Sequence, residues 1–121
     1  MKPIAILEHS KQAPAHFLDD AIAAAGLDRV VIKLYDGEPL PDLAAVLAVV
    51  SLGGAMGAYD ETEFPFLVAE KQLLREAGAR GIPVLGICLG CQMLADVLGG
   101  SAYAAPQMEV RFGSLRLSPA G

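Results

Sequence analysis

The sequence contains little positive charge and few cysteine residues. Its 121 residues include 9 Lys and Arg against 14 Asp and Glu, which gives a formal net charge of −5, and the basic residues form no run. Because nucleic-acid binding needs clustered cations to neutralise phosphates, we expect no nucleic-acid partner. Cys88 and Cys91 are too few and too close together for the disulfide framework of a small secreted protein. We therefore expect a reducing, cytoplasmic location.

The sequence also lacks a long apolar run. Glu8 interrupts the N-terminal apolar residues before a signal peptide could form, and the longest charge-free window, 43–59, contains three glycines. This window falls short of the roughly 20 apolar residues that a spanning helix needs, so we expect no export signal and no membrane segment. A hydrophobic content of 54% in 121 residues nevertheless suffices for a buried core without a disulfide or metal. We expect one globular domain over residues 1–121.

Short apolar segments alternate with segments of helical periodicity. This alternation is typical of an α/β fold, in which a parallel sheet is covered by helices on both faces. Strands are predicted at 3–7, 30–34, 46–52 and 83–87, and helices at 14–25, 65–80 and 89–98. The residues predicted to face the core from the first two helices are Phe17, Ala21, Ile22, Ala25, Phe66, Ala69, Leu73 and Ala77. After residue 100 the helical periodicity ends, and short extended segments are predicted at 101–105 and 109–117.

The segment Gly86-Ile87-Cys88-Leu89-Gly90 joins the fourth predicted strand to the third predicted helix. In such sheets ligands bind beyond the carboxyl ends of the strands. The spacing matches a Gly-x-nucleophile-x-Gly turn, with cysteine in place of serine. Glycines at both ends avoid collisions of Cβ atoms, and the start of a helix stabilises a thiolate. We interpret Cys88 as a nucleophile, and the alternative is a small buried core residue.

Cys91 gives two further interpretations of the same segment. Cys88 and Cys91 form a C-x-x-C pair at the start of a helix, as in dithiol redox proteins, where Cys91 would be the resolving thiol. The glycines are better explained by a nucleophile turn, and a position one turn into the helix suits a small residue facing the core. A zinc site would need more Cys or suitably spaced His ligands than the sequence has, so we expect no metal.

A second glycine-rich segment, Leu52-Gly53-Gly54-Ala55-Met56-Gly57-Ala58-Tyr59-Asp60-Glu61, follows the third predicted strand. Glycines let backbone N–H groups face a ligand, and one of these groups could hold an oxyanion together with the N–H of Leu89. The alternatives are a phosphate-binding loop, which lacks the Lys-Ser/Thr ending of a P-loop, and an ordinary turn.

Together the two segments resemble the oxyanion loop and nucleophile turn of the class I, triad-type glutamine amidotransferases, and are similar to the glutaminase domain of GMP synthase. The resemblance covers essentially the whole chain and implies a flavodoxin-like fold. It implies that Cys88 attacks the side-chain amide of L-glutamine, forms a glutamyl thioester and releases ammonia, while Gly54 and Leu89 supply the oxyanion-hole amides. It further implies that Gln92 and the segment containing Glu109 contact the glutamine. No cofactor is implied, and the ammonia would pass to a synthetase or another acceptor-site partner.

Several positions differ from the family pattern. Arg111 stands where the family commonly has Gly, and Ala55 and Gly57 replace a Pro and a Ser that are often found there. The sequence also lacks the His-x-Glu pair that supplies the base and its carboxylate in this family. Of the two histidines present, His16 is expected on the surface near the first helix. His9 reaches the same sheet edge as Cys88, and we expect it to be solvated or to cap a loop.

The missing pair leads to three expectations for this chain. We expect a fragment or truncated form whose sheet is incomplete at the C-terminus, with negligible glutaminase activity. Because missing strands would leave apolar surface uncovered, we also expect the chain to self-associate or to need a partner. Two other functions stay open: a non-catalytic flavodoxin-like binding or assembly module, and a thiol redox protein that uses Cys88 and Cys91.

Overall fold

Strands and helices alternate along the chain, as the apolar pattern predicts. The computed structural model describes residues 1–121 and contains β1 (Ile4–Glu8), α1 (Phe17–Ala24), β2 (Arg29–Lys33), β3 (Ala48–Ser51), α2 (Phe66–Ala79), β4 (Val84–Gly86) and α3 (Leu89–Val97). Two short 3-10 turns, Leu34–Asp36 and Leu43–Ala45, lie between β2 and β3. Residues 101–105 and 109–117, where short extended segments are predicted, contain no helix and pair with no strand of the sheet.

The four strands form one parallel sheet in the order β2-β1-β3-β4. This is the beginning of the flavodoxin-like strand order, so the predicted fold class is confirmed. The register places Leu7 beside Ser51 and Ser51 beside Gly86. The carboxyl ends of β1, β3 and β4 therefore lie in one row, and the loops that follow them emerge at the same edge.

Helices cover both faces of the sheet. All five residues of β1 are buried, because successive side chains point to opposite faces and each face is packed. On one face Ala5 and Leu7 pack in the larger core with residues of α2 and α3, including Leu67, Leu74 and Met93. The smaller core on the other face consists of Ile4, Ile6, Ile22, Val50 and Leu52.

The prediction of which α1 residues face the core is mostly wrong. Phe17 is 88% exposed, and Ala21 and Ala25 are exposed as well, so that Ile22 is the one fully buried residue of this helix. The helix begins at Phe17 rather than at residue 14 and is only 8 residues long. Such a short helix contacts the sheet through little more than one turn. A single turn has room for Ile22 and for the partly buried Leu18.

Apolar surface remains uncovered beside β4, which is an edge strand. Leu85 is 48% exposed and Ile87 is 40% exposed. Next to them an open groove of about 240 Å³ runs between α1 and the strands and is lined almost entirely by apolar side chains, among them Leu18, Val50 and Val84. None of the helices is both long and apolar enough to cross a membrane.

Candidate functional site

Three loops meet at the carboxyl edge of the sheet. His9 directly follows β1, the glycine-rich loop 52–61 follows β3, and Cys88 lies in the turn between β4 and α3. Cys88 and Cys91 are both exposed and free. The strand register thus brings together the loops in which the sequence predicts a site.

Cys88 lies in a sharp turn that is held open by two glycines. Its φ of 55° and ψ of −107° are in a region that side chains rarely adopt, and His16 is the one other non-glycine residue with positive φ. A Cβ at Gly86 would lie 2.6 Å from the carbonyl carbon of Gly90, and a Cβ at Gly90 would lie 2.1 Å from the carbonyl oxygen of Ser51. Only glycine fits at both positions, because the atoms that a side chain would meet belong to the backbone.

The first half of the glycine-rich loop lies against the cysteine. A Cβ at Gly53 would lie 3.3 Å from Cβ of Cys88 and 3.8 Å from its Sγ, and a Cβ at Gly54 would lie 3.3 Å from Cδ2 of Leu89. The N–H of Gly54 donates to no acceptor within the protein. Leu89 is the first residue of α3, where backbone N–H groups have no partner inside the helix. The backbone N–H groups of Gly54 and Leu89, neither of which has an acceptor within the protein, therefore lie beside the thiol.

The second half of the loop is fastened to α2 and α3. Oε1 of Gln92 accepts a hydrogen bond from the backbone N–H of Ala58 at 3.1 Å, and Nζ of Lys71 donates to the Ala58 carbonyl oxygen at 2.7 Å. Lys71 also pairs with Glu61 and, at 2.7 Å, with Asp96. Burial alone would lower the pKa of Lys71, but its hydrogen bonds and ion pairs with Asp96 and Glu61 outweigh burial and raise the pKa. The backbone N–H and the backbone carbonyl of Ala58 are thereby both held by side chains.

The expectation that His9 is solvated was wrong, whereas its contact with the glycine-rich loop agrees with the alternative that it caps a loop. His9 is 1% exposed, its Nε2 lies 2.7 and 2.9 Å from the two carboxylate oxygens of Glu70, and its Nδ1 lies 3.3 Å from the carbonyl oxygen of Gly53. The imidazole ring also stacks on Phe66, with ring centroids 6.1 Å apart. The expectation failed because the partner, Glu70, lies 61 residues away in sequence. His16 is exposed, as predicted.

The sequence reasoning missed two polar residues of α2. Glu70 and Lys71 are buried, whereas Ala69, which was expected to face the core, is exposed. A signal was present, since both polar residues lie three and four positions after the buried Leu67 and on the same helix face as Leu74. Charged residues on an otherwise apolar helix stripe indicate buried partners elsewhere in the fold.

Glu109 is not brought to these loops. It is exposed, lies in a segment without helix or strand, and pairs with the equally exposed Arg111. The structure therefore brings Cys88, Gly54, Leu89 and Gln92 together but leaves Glu109 apart from them. No group of three or more His, Cys, Asp or Glu side chains is arranged to hold a metal ion.

The parallel sheet, with a free cysteine between its edge strand and a helix, places the chain among the flavodoxin-like α/β proteins. Residues 19–119 match the family model described as glutamine amidotransferase class-I. The chain belongs to the class-I glutamine amidotransferase family, which confirms the resemblance inferred from its two glycine-rich segments.

Individual relatives agree with this assignment. The chain is 30% identical over 93 residues to the glutamine amidotransferase-like protein YfeJ of Salmonella typhimurium, an alignment that covers 74% of this chain and 39% of the relative. It is 35% identical over 72 residues to the glutamine-hydrolysing GMP synthase of Lactococcus lactis, covering 60% of this chain and 13% of that protein. The crystal structure of a glutamine amidotransferase from Methylobacillus flagellatus superposes with a TM-score of 0.84 at 30% identity, covering 91% of this chain and 44% of that one. The chain thus spans less than half the length of each of these relatives.

Proposed function

We propose that this chain carries the nucleophile and the oxyanion-binding part of a glutaminase site, with Cys88 as the attacking group. The observation that carries the proposal is the conformation of Cys88, which is exposed, free and held at positive φ at the start of α3. This backbone geometry, with glycines two residues to either side, is that of a nucleophile elbow. The helix start stabilises negative charge on the sulfur.

The proposed reaction begins with attack of the Cys88 thiolate on the side-chain amide carbon of L-glutamine. The carbonyl oxygen becomes an oxyanion, and the N–H groups of Gly54 and Leu89 donate to it. The C–N bond then breaks and ammonia leaves with an added proton, so that a γ-glutamyl thioester remains on the sulfur. Water hydrolyses the thioester to glutamate and restores the thiol.

Two observations support the assignment of the Gly54 and Leu89 N–H groups as oxyanion donors. The N–H of Gly54 has no acceptor within the protein, and the first N–H groups of α3 have none inside their helix. Gln92 is half-buried one turn after Cys88, and its Oε1 is held by Ala58, so its amide group is positioned to meet a substrate. We propose that Gln92 contacts the bound glutamine, as family membership implies.

Neither histidine side chain is hydrogen-bonded to Cys88, as a base for its thiol would be. Both ring nitrogens of His9 already face oxygen atoms, of Glu70 and Gly53, and His16 lies before α1. We therefore propose that these 121 residues alone hydrolyse glutamine at a negligible rate. The ammonia produced by a complete site would pass to an acceptor site, as the pairing of glutamine hydrolysis with a synthase in the lactococcal relative suggests.

L-2-amino-4-oxo-5-chloropentanoate, a chloroketone analogue of glutamine, tests the proposal without requiring turnover. The thiolate displaces chloride and forms a thioether, and intact-mass spectrometry counts the adducts. We expect saturable labelling of Cys88 that L-glutamine slows, and loss of that label in Cys88→Ser. Labelling that is not saturable, or that glutamine does not slow, would contradict a glutamine site. Ammonia release from glutamine at rates typical of enzymes would contradict the proposed inactivity of this chain.

Cys91→Ser is the matched control and separates this chemistry from a dithiol function. Cys91 is the second free, exposed thiol, three residues after Cys88. If Cys88 acts as a nucleophile toward glutamine, the chloroketone labels Cys91→Ser at the same rate as the parent. If the pair is a redox couple, the same substitution abolishes a reversible disulfide, which is measured by titration with a dithiol buffer.

A further inference from the structure

A buried polar cluster lies directly beneath the site. Its members are His9, Ser51 and Glu70, which come from the end of β1, the end of β3 and the middle of α2. Ser51 and Glu70 are completely buried and His9 is 1% exposed. Burial of charged and polar groups is costly unless they are hydrogen-bonded, and no buried side-chain nitrogen or oxygen in this structure lacks a partner. The three side chains are therefore organised as one network.

Glu70 is the centre of this network. Its Oε1 accepts a hydrogen bond from Oγ of Ser51 at 2.7 Å, and both of its carboxylate oxygens face Nε2 of His9. The other ring nitrogen of His9 faces the carbonyl oxygen of Gly53 at 3.3 Å. A carbonyl oxygen can only accept a hydrogen bond, so this hydrogen bond needs a proton on Nδ1, and hydrogen bonds to the carboxylate oxygens need a proton on Nε2 as well. The network therefore runs from Glu70 through His9 to the backbone of the glycine-rich loop.

The contact with Gly53 bears directly on an oxyanion donor. The Gly53 carbonyl and the Gly54 N–H belong to one planar, trans peptide unit and point in opposite directions. With its carbonyl held toward His9, the unit must direct the Gly54 N–H away from His9. Because the flanking residues are both glycine, this peptide has few steric barriers of its own that would fix its orientation. The orientation of the donor therefore depends on what holds the carbonyl.

The same network also supports the turn that carries the cysteine. The backbone carbonyl of Ser51 accepts a hydrogen bond from the N–H of Ile87 at 2.9 Å, and it is the atom that excludes a side chain at Gly90. Ser51 thus contacts Glu70 through its side chain and the Cys88 turn through its backbone. One buried carboxylate is linked to both halves of the site.

We propose that His9 and Glu70 are positioning residues for the oxyanion site. His9 fixes the Gly53–Gly54 peptide so that the Gly54 N–H is available to substrate, and Glu70 holds the imidazole ring in the orientation that this requires. The effect of His9 and Glu70 on catalysis rests on the proposed function, whereas their contacts with Gly53 and with each other do not.

Two substitutions of His9 separate the two contacts of its ring. The side-chain amide of Asn places a nitrogen near the position of Nδ1, whereas the longer side chain of Gln places one near Nε2. His9→Asn therefore keeps a donor for the Gly53 carbonyl, and His9→Gln keeps a partner for Glu70. Both are made in a Cys91→Ser background so that Cys88 is the sole thiol. The readout is the rate of chloroketone labelling divided by the rate of iodoacetamide labelling. The chloroketone carries the amino-acid end of glutamine, which would hold its carbonyl at the oxyanion donors, whereas iodoacetamide has no such end to hold its carbonyl there.

We expect this ratio to fall about 100-fold in His9→Gln, the size of effect seen when one oxyanion donor is lost, and to stay within about 10-fold of the parent in His9→Asn. Iodoacetamide labelling by itself should change little in either variant. Equal ratios in the two variants would overturn the proposal, since a purely structural role of His9 predicts no difference between them.

A measurement on the unmutated chain covers the case in which the variants do not fold. Long-range ¹H–¹⁵N spectra of the histidine side chains report which ring nitrogen carries a proton, and the exposed His16 serves as the internal reference. We expect Nδ1 of His9 to be protonated, and an unprotonated Nδ1 would overturn the proposal. If the parent itself shows no glutamine-dependent chloroketone labelling, the proposed function fails, while the spectra still decide whether His9 donates to Gly53.

Discussion

Replacement of Gly90 by alanine tests how closely α3 approaches the end of β3. The new Cβ would lie 2.1 Å from the carbonyl oxygen of Ser51 and 2.7 Å from its carbonyl carbon, whereas real Cβ atoms essentially never come closer than 3.0 Å to another heavy atom. One of the two backbones would have to move by about 0.9 Å. The Ser51 carbonyl is not free to move, because it also accepts the hydrogen bond from Ile87.

Two effects of opposite sign compete in Gly90→Ala. Helix propensity favours alanine over glycine by about 1 kcal/mol, whereas overpacking of a well-packed core costs about 1–3 kcal/mol and more when backbone rather than a side-chain tip must move. We expect overpacking to win, with a net loss of about 2 kcal/mol in the free energy of unfolding. The shift would also disturb Cys88, two residues away, and lower its chloroketone labelling.

Gly78→Ala is the matched control for this prediction. Gly78 lies in α2, and a Cβ there would meet no atom within 4 Å. Helix propensity then acts alone, and we expect a gain of up to about 1 kcal/mol. Urea unfolding followed by circular dichroism measures both variants, with the midpoints compared at unchanged slope. A Gly90→Ala chain as stable as its parent, with unaltered labelling of Cys88, would refute the close approach of α3 to β3.

Three further predictions follow from burial and charge. Phe17→Ser should change the free energy of unfolding by no more than about 0.5 kcal/mol because the ring is 88% exposed, and a loss well above this value in urea unfolding would show that the ring is packed. The apolar surface beside β4 should make the parent self-associate, and Leu85→Lys should shift sedimentation velocity toward monomer; a parent that stays monomeric at all concentrations contradicts this. Lys71→Met removes a buried cation together with its contacts with Ala58 and Asp96 and should cost about 2 kcal/mol. Because the folded-state pKa of Lys71 is raised, its contribution is fully present below about pH 10.4 and is lost as pH rises through the folded pKa. The difference in unfolding free energy between parent and Lys71→Met should therefore be constant from neutral pH to about pH 10 and shrink above it, and a difference already shrinking near neutral pH would contradict this account.

Much of the fold was predictable because it follows from local patterns. The run from Ile4 to Leu7 is apolar at every position, which predicts a strand packed on both faces, and the structure places it in the interior of the sheet. The glycines around Cys88 predict a sharp strand-to-helix turn, and both exclude a side chain by contact with backbone. The face of α1 that packs against the sheet was not predictable in the same way, because Phe17 is apolar but lies at the first position of a short helix.

The sequence by itself determined the order of strands and helices, the family and the position of Cys88, since each of these depends on residues that are close together in the chain. Only the tertiary structure decided the environment of His9, whose partner Glu70 lies 61 residues away. A buried carboxylate can be recognised only when its hydrogen-bond partners are known, because burial without them would be too costly. Those partners come from β1 and β3, and packing of α2 against the sheet brings the three together.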